Sequence, residues 1–178
     1  MRVRLLVLFV LIIAILALAG VALAGNQIYT AHLTGDNEVP SNLSQGQGQA
    51  FFRLNAGGTA IEYRLIAANI DNIFMSHIHN APAGSNGPIV VWLYPDAPPA
   101  QLIVGPFHGV LAAGTIEAGD ILAAGNLASV PAEARLNALL AEMAAGRTYV
   151  NVHTTDNDPA TGPAPGDIPG GEIRGQIQ

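Results

Sequence analysis

The chain has 178 residues, no cysteine and a formal net charge of −6. The absence of cysteine excludes a disulfide framework, a thiolate metal site and cysteine catalysis. Beyond residue 24 there are thirteen acidic residues against five arginines and no lysine, a net charge of −8. An acidic surface of this kind disfavours nucleic acid and anionic lipid, and it favours cations or basic proteins.

Residues 1–24 are typical of a secretory signal peptide. Arg2 and Arg4 form a positive start, and an unbroken apolar run covers 5–18. Ala22-Leu23-Ala24 is a small-x-small cleavage pattern, which predicts that residues 25–178 form the mature chain, long enough for one domain. The alternative is an uncleaved membrane anchor, because the apolar stretch reaches about 20 residues. Either alternative places the domain outside the cytoplasm, in the periplasm, at the cell surface or secreted.

Short segments with strand periodicity follow one another along the mature chain. They are rich in β-branched and other apolar residues, and Gly, Pro, Asn, Asp or Ser clusters separate them. The predicted strands are 28–34, 50–54, 59–67, 73–79, 89–94, 101–111, 149–153 and 172–177. Asn55-Ala56-Gly57-Gly58 is a predicted hairpin turn. Residues 155–171 are rich in Pro, Gly and Asp, which predicts a long loop.

A single helix is predicted at residues 131–145. Its apolar side chains recur at the i, i+3, i+4, i+7 spacing of one helix face: Leu136, Leu139, Leu140 and Met143. Pro131 suits the first turn, and Gly146 suits the C-terminal cap. Short strands at regular spacing with one inserted helix predict an all-β protein, an antiparallel Greek-key-like β-sandwich or barrel.

Two predicted strands carry histidines whose spacing indicates a shared site. Alternate strand residues point to one face, so His77 and His79 project together, about 7 Å apart. By the same alternation His153 lies on one face of a later strand. Imidazole is the commonest metal ligand, and two on one strand need only one more from a neighbour. The candidate metal ligands are therefore His77, His79 and His153, with His108 as a candidate fourth.

The same histidines also have a purely structural interpretation. They would then hydrogen-bond one another and nearby loop backbone, holding the loops at 81–88 and 155–171 in place. His32 is predicted to be an exposed strand residue. Glu172 and Arg174 lie on one strand face, and we expect them to form a structural ion pair or to pair across strands.

Four motifs, in this order, resemble the CHRD domain, the module named after its repeats in chordin. They are LTGDNEVP at 33–40, HIHNAPAGSNGP at 77–88, YVNVHT at 149–154 and GEIRGQI at 171–177. Together they span nearly all of the mature chain. The resemblance implies a compact β-rich domain of secreted or surface proteins. It implies no catalytic residues, because the family has no settled common activity.

A more distant resemblance is to the Cu/Zn superoxide dismutases, which are Greek-key sandwiches. Their H-V-H strand supplies two copper ligands, and a later V-V-H histidine precedes a Gly-rich loop and a closing G-x-I strand. His77 and His79 are similar to the first pair, and His153 is similar to the later histidine. The zinc subsite of those enzymes needs further histidines and an aspartate in one loop. Only His108 remains here, so no zinc subsite is expected.

Two functions follow from these observations. The first is a secreted or surface-exposed, non-enzymatic binding module of the CHRD type. Its acidic charge would favour a basic protein or surface component as partner, and it would contact a membrane only through an uncleaved leader. The alternative is a copper-binding protein with a mononuclear site at His77, His79 and His153, resembling the dismutase copper site and at most weakly redox active.

Overall fold

The computed structural model describes residues 27–158 and 163–178, so the predicted signal segment lies outside the described residues. These residues form seven strands and one α-helix. The strands are β1 (Ile28–Thr34), β2 (Gln47–Leu54), β3 (Ile61–Asn80), β4 (Ile89–Tyr94), β5 (Ile103–Ile116), β6 (Thr148–Thr154) and β7 (Ile173–Gln176), and the helix is α1 (Arg135–Ala144). Within the described ranges, no helix is long and apolar enough to cross a membrane.

Strand β3 connects the two halves of the fold. Its first half pairs with β2 and β5, and its second half pairs with β4 and β6. The sequence predicted two strands here, at 59–67 and 73–79, and that division was wrong. Asn69 and Asn72 adopt positive φ angles of 55° in bulges, and pairing with β5 continues across them. Asparagine tolerates this conformation, so the backbone bends without leaving the sheet.

The strands close on themselves. Their order is β2-β1-β7-β6-β3-β4, with β5 beside β3 and a further pairing between β2 and β3. Every pairing between these strands is antiparallel. One half of the sandwich contains β5, β3, β2 and β1, and the other contains β4, β3, β6 and β7. The predicted all-β antiparallel sandwich or barrel with one inserted helix is therefore confirmed.

Alternation along the strands builds the core. One face of β3, β6 and β7 contributes Ile78, Val150, Val152 and Ile173, all completely shielded from solvent. Burying each such side chain stabilises the fold by about 1.5–3 kcal/mol. The opposite face of the same three strands is therefore free to carry polar groups beneath the loops.

Helix α1 covers one end of the sandwich. The predicted apolar face is buried: Leu136, Leu139, Leu140 and Met143. The α-helix begins at Arg135, because the preceding turn, Ala132–Ala134, is a 3-10 helix. Gly146 has a φ of 64° and donates to the carbonyl of Met143, as predicted for a C-terminal cap.

Candidate metal centre

The strand register places the predicted histidines on one polar face. Directly opposite residues of neighbouring strands point to the same side of a sheet. The rows across β3, β6 and β7 are Met75–His153, His77–Asn151–Arg174 and His79–Tyr149–Gln176. The face is covered by loops and buried, and the three histidines are at most 8 % exposed.

The three imidazoles converge. Nδ1 of His77 lies 3.2 Å from Nε2 of His153. One ring nitrogen from each of His77, His79 and His153 can be chosen so that all lie within 4.8 Å of one another. The expected convergence of the three rings is thus observed.

Backbone carbonyls orient two of the rings. Nδ1 of His79 donates to the carbonyl of Gly87 at 2.8 Å, and Nδ1 of His153 donates to the carbonyl of Pro169 at 2.9 Å. Since a carbonyl only accepts, Nδ1 carries the proton, and Nε2 of each neutral ring keeps its lone pair. Such carbonyl partners are the outer contacts typical of metal-ligating histidines.

Burial keeps the three rings neutral. It lowers the pKa of His77 to about 3, with His153 and His79 adding to the effect. It lowers the pKa of His153 to about 4, against the opposing hydrogen bond to Pro169. Burial also lowers the pKa of His79. Neutral imidazole is the form that can bind a metal ion, and all three rings have this form at neutral pH.

Acidification is expected to destabilise the metal-free fold between about pH 6.5 and pH 4. The three folded-state pKa values lie below the unfolded value, so stability is fully present above about pH 6.5 and is lost as the pH falls. For His153 alone, the lowered pKa corresponds to on the order of 3 kcal/mol. Glu38 opposes this loss, because its raised pKa stabilises the fold at acidic pH and that contribution disappears as the pH rises through 7.

Urea unfolding of chelator-treated protein from about pH 7.5 to pH 4 measures this effect. The variant Glu38→Gln should lose stability more steeply on acidification, because the opposing contribution is gone. A wild-type free energy of unfolding that stays constant over this range would contradict the prediction.

Aromatic and cationic side chains fix the ring orientations. The Trp92 ring stands edge-on to His77, with centroids 4.2 Å apart, and Tyr149 stacks on His79 at 4.9 Å. The guanidinium carbon of Arg174 lies 3.4 Å from the Tyr149 centroid. These contacts restrict the rotation of the His77 and His79 rings.

Arg174 and Glu172 do not form the expected ion pair. Arg174 donates to the carbonyls of Ser85 and Pro82 and to Oδ1 of Asn86. Glu172 instead accepts from hydroxyl and backbone groups on other segments. Within the described ranges the side-chain ion pairs are Arg53–Glu62 and Arg147–Glu142. Arg174 therefore holds the loop after β3 over the face that carries the three histidines.

Only glycine fits at position 87, because the backbone of that loop passes close to the carbonyl of Asn80. Its carbonyl orients His79, and its N–H donates to the hydroxyl of Tyr149 at 3.2 Å. A Cβ at this position would collide with the carbonyl of Asn80. Any larger residue would move the carbonyl away from His79.

Helix α1 anchors the end of β3 that carries His79. The Glu142 carboxylate accepts from the amides of Asn80 and Asn126 and from the guanidinium of Arg147. The bonds from Arg147 lower the pKa of Glu142 to about 2. The residue after His79 is thus tied to the helix by a buried charged group.

His108 does not join the cluster. It lies exposed on β5, pairs with Ala68 in the other half of the sandwich, and accepts the N–H of Asn69 at 3.0 Å through Nδ1. Within the described ranges the histidine cluster has three members. His32 is exposed, as predicted.

One polar group of the site, Glu38, was not assigned to it from the sequence, whereas Asn151 was expected as a hydrogen-bond partner of the histidines. Glu38 follows a short 3-10 helix after β1 and is buried, and burial raises its pKa to about 7. Asn151 lies beside it and opposite His77. In the sequence, Glu38 belongs to the first of the four motifs, and Asn151 alternates with His153 along one strand. Neither pattern shows that Glu38 and Asn151 meet.

Comparison with known proteins gives one match. The family model described as CHRD domain matches residues 29–177, nearly the whole described chain. No curated protein and no solved structure gives a significant match.

Proposed function

This chain belongs to the CHRD domain family, and from that membership we propose that it is an extracytoplasmic binding module. From its three convergent histidines we propose further that it holds one transition-metal ion of the copper type. The ligands are His77, His79 and His153. CHRD domains occur in extracellular or secreted proteins. We further propose that the leader directs export and that residues 25–178 are the mature domain.

The observation that carries the proposal is a pair of unpaired buried nitrogens. Nε2 of His77 and Nε2 of His79 have no hydrogen-bond partner in the described part of the chain. Leaving a buried polar atom unpaired costs about 1–3 kcal/mol. A loop-fixing role accounts for the Nδ1 bonds of His79 and His153, but it leaves these nitrogens unexplained. A bound ion would use them.

The donor set fits a borderline metal. Three neutral imidazoles suit copper, zinc, nickel or iron, whereas calcium and magnesium prefer oxygen ligands. The resemblance to the dismutase copper strand favours copper within that group. When bound, such an ion supplies Lewis acidity and, for copper, one-electron redox chemistry. The chain's own residues hold the imidazoles neutral, orient them and exclude bulk water from them.

Metal analysis of untagged, chelator-stripped and reloaded protein tests the proposal. We expect about one copper ion per chain, because one cluster of three convergent imidazoles is present. A variant lacking both exposed histidines, His32→Ala with His108→Ala, should keep the full stoichiometry. The proposal would be wrong if the wild type bound no copper above the background of the assay, or if the exposed-histidine variant lost its copper.

A second candidate function is non-enzymatic interaction with a basic protein or surface component. The net charge of −8 beyond residue 24 favours it, because such a surface attracts cationic partners. Binding of a basic partner should weaken steeply with salt and be the same for metal-loaded and metal-free protein. Salt-independent binding would contradict a charge-driven interaction.

A further inference from the structure

Unpaired buried polar atoms are concentrated beside the histidines. Five such side-chain atoms occur among the described residues. Four of them belong to His77, His79, Asn151 and Glu38. The proposed ion accounts for the two imidazole nitrogens, and Oδ1 of Asn151 and Oε1 of Glu38 remain. Buried polar groups are paired in native proteins as a rule, so two unpaired acceptors beside the histidines indicate a place where a hydrogen-bond donor is bound.

Asn151 connects the carboxyl group to the imidazoles. It pairs with His77 across β3 and β6, and its side chain lies beside His79. Its amide also lies against the Glu38 carboxyl group and lowers the pKa of that group. Gly171 makes the approach feasible, since a Cβ there would lie 2.6 Å from Oε1 of Glu38 and 2.7 Å from Nδ2 of Asn151.

Glu38 also contacts the surface on two sides. It lines a cleft of about 540 Å³ with His32, Asp36 and Arg174, and a second cleft of about 600 Å³ with Gly171. The residue itself is 7 % exposed. One carboxyl group therefore borders both the buried polar region and water.

We propose that Glu38 exchanges protons with a water molecule or other small protic ligand bound between its carboxyl group and the side chain of Asn151. This inference rests on the proposed metal-binding function and names the ligand class of that site. The O–H bond of the ligand breaks, its electron pair stays on the ligand oxygen, and the proton forms an O–H bond on Glu38. Glu38 then releases the proton to water in a cleft. No oxidant or reductant is needed.

The electrostatic surroundings suit this role. Burial raises the pKa of Glu38 to about 7, and the positive charge of Arg174 opposes that rise. Tyr149 also interacts electrostatically with Glu38. His32 and Asp36 line the first cleft together with Glu38. A proton-exchanging group works best when its pKa lies near the ambient pH.

The test has two readouts. In metal-free protein, carbon-detected NMR of labelled glutamate carboxyls should show one group titrating near pH 7 that is missing in Glu38→Gln. In copper-loaded protein, visible absorption and electron paramagnetic resonance should show a pH-dependent change whose midpoint moves by at least about one unit, a tenfold change in proton affinity, in Glu38→Gln. The matched control is Glu62→Gln, at an exposed glutamate.

The outcomes separate the two proposals. Copper stoichiometry is measured on the same samples, and Glu38→Gln should still bind one ion. A Glu38 carboxyl that titrates near its ordinary value, or an unchanged spectral midpoint in protein that binds copper, overturns this inference alone. A wild type that binds no metal overturns the proposed function and this inference together.

Discussion

Replacing His153 by alanine is expected to lower the affinity for copper at least about 100-fold while leaving the chain folded. His153 supplies one of three convergent nitrogens, 3.2 Å from Nδ1 of His77. Loss of an outer hydrogen-bond partner alone lowers metal affinity about 10–100-fold, so loss of a ligand should exceed that range. The core-facing neighbour Val152 is untouched by the change, which favours retention of the fold.

Competition titration against a chromophoric chelator measures this affinity. His108→Ala is the matched control, since that histidine is exposed and outside the cluster. Circular dichroism and urea unfolding verify that His153→Ala is folded. Wild-type affinity in a folded His153→Ala variant would show that the convergent imidazoles do not hold the metal.

Replacing Glu172 by alanine is expected to lower the free energy of unfolding by about 3–5 kcal/mol. Glu172 is 1 % exposed, and its carboxylate accepts from Oγ of Ser44 at 2.6 Å, from Oγ1 of Thr154 and from the N–H of Gly166 at 2.7 Å. Alanine would leave these three donors without their acceptor, and each unpaired buried donor costs about 1–3 kcal/mol. The change should also weaken metal binding, because the loop that supplies the Pro169 carbonyl is attached through Gly166.

Chemical denaturation of metal-free protein gives the stability difference directly. Glu62→Ala is the control, since Glu62 forms an exposed ion pair with Arg53. Exposed pairs contribute about 0–1 kcal/mol, so this control should change stability little. Equal effects of the Glu172 and Glu62 substitutions would mean that the buried carboxylate does not hold the loop.

Local patterns predicted most of the secondary structure, and they were wrong where the chain bends within a strand. The helix at α1 followed from the spacing of Leu136, Leu139, Leu140 and Met143, which depends only on neighbours along the chain. The split of β3 into two strands was wrong because Asn69 and Asn72 resemble turn residues. Pairing with β5 across this bulge overrides that local signal.

The residues around the three histidines were harder to predict from the sequence. Glu38 and Asn151 lie more than a hundred residues apart, and the meeting of their side chains depends on Gly171, a third distant segment. His108 was a reasonable fourth nitrogen by elimination, yet β5 pairs with the first half of β3 rather than the second. Strand order and register decide such meetings, and neither is encoded locally.

The family, the all-β architecture and the choice of three histidines on strand faces were predictable from the sequence, because period-two alternation and contiguous motifs are local properties. That the histidines share one buried face and remain neutral depends on the folded chain. Neutrality requires burial by loops from three regions of the chain, which lowers the pKa of His77 and His153. The raised pKa of Glu38 has the same origin, since desolvation depends on what the folded chain places around a group.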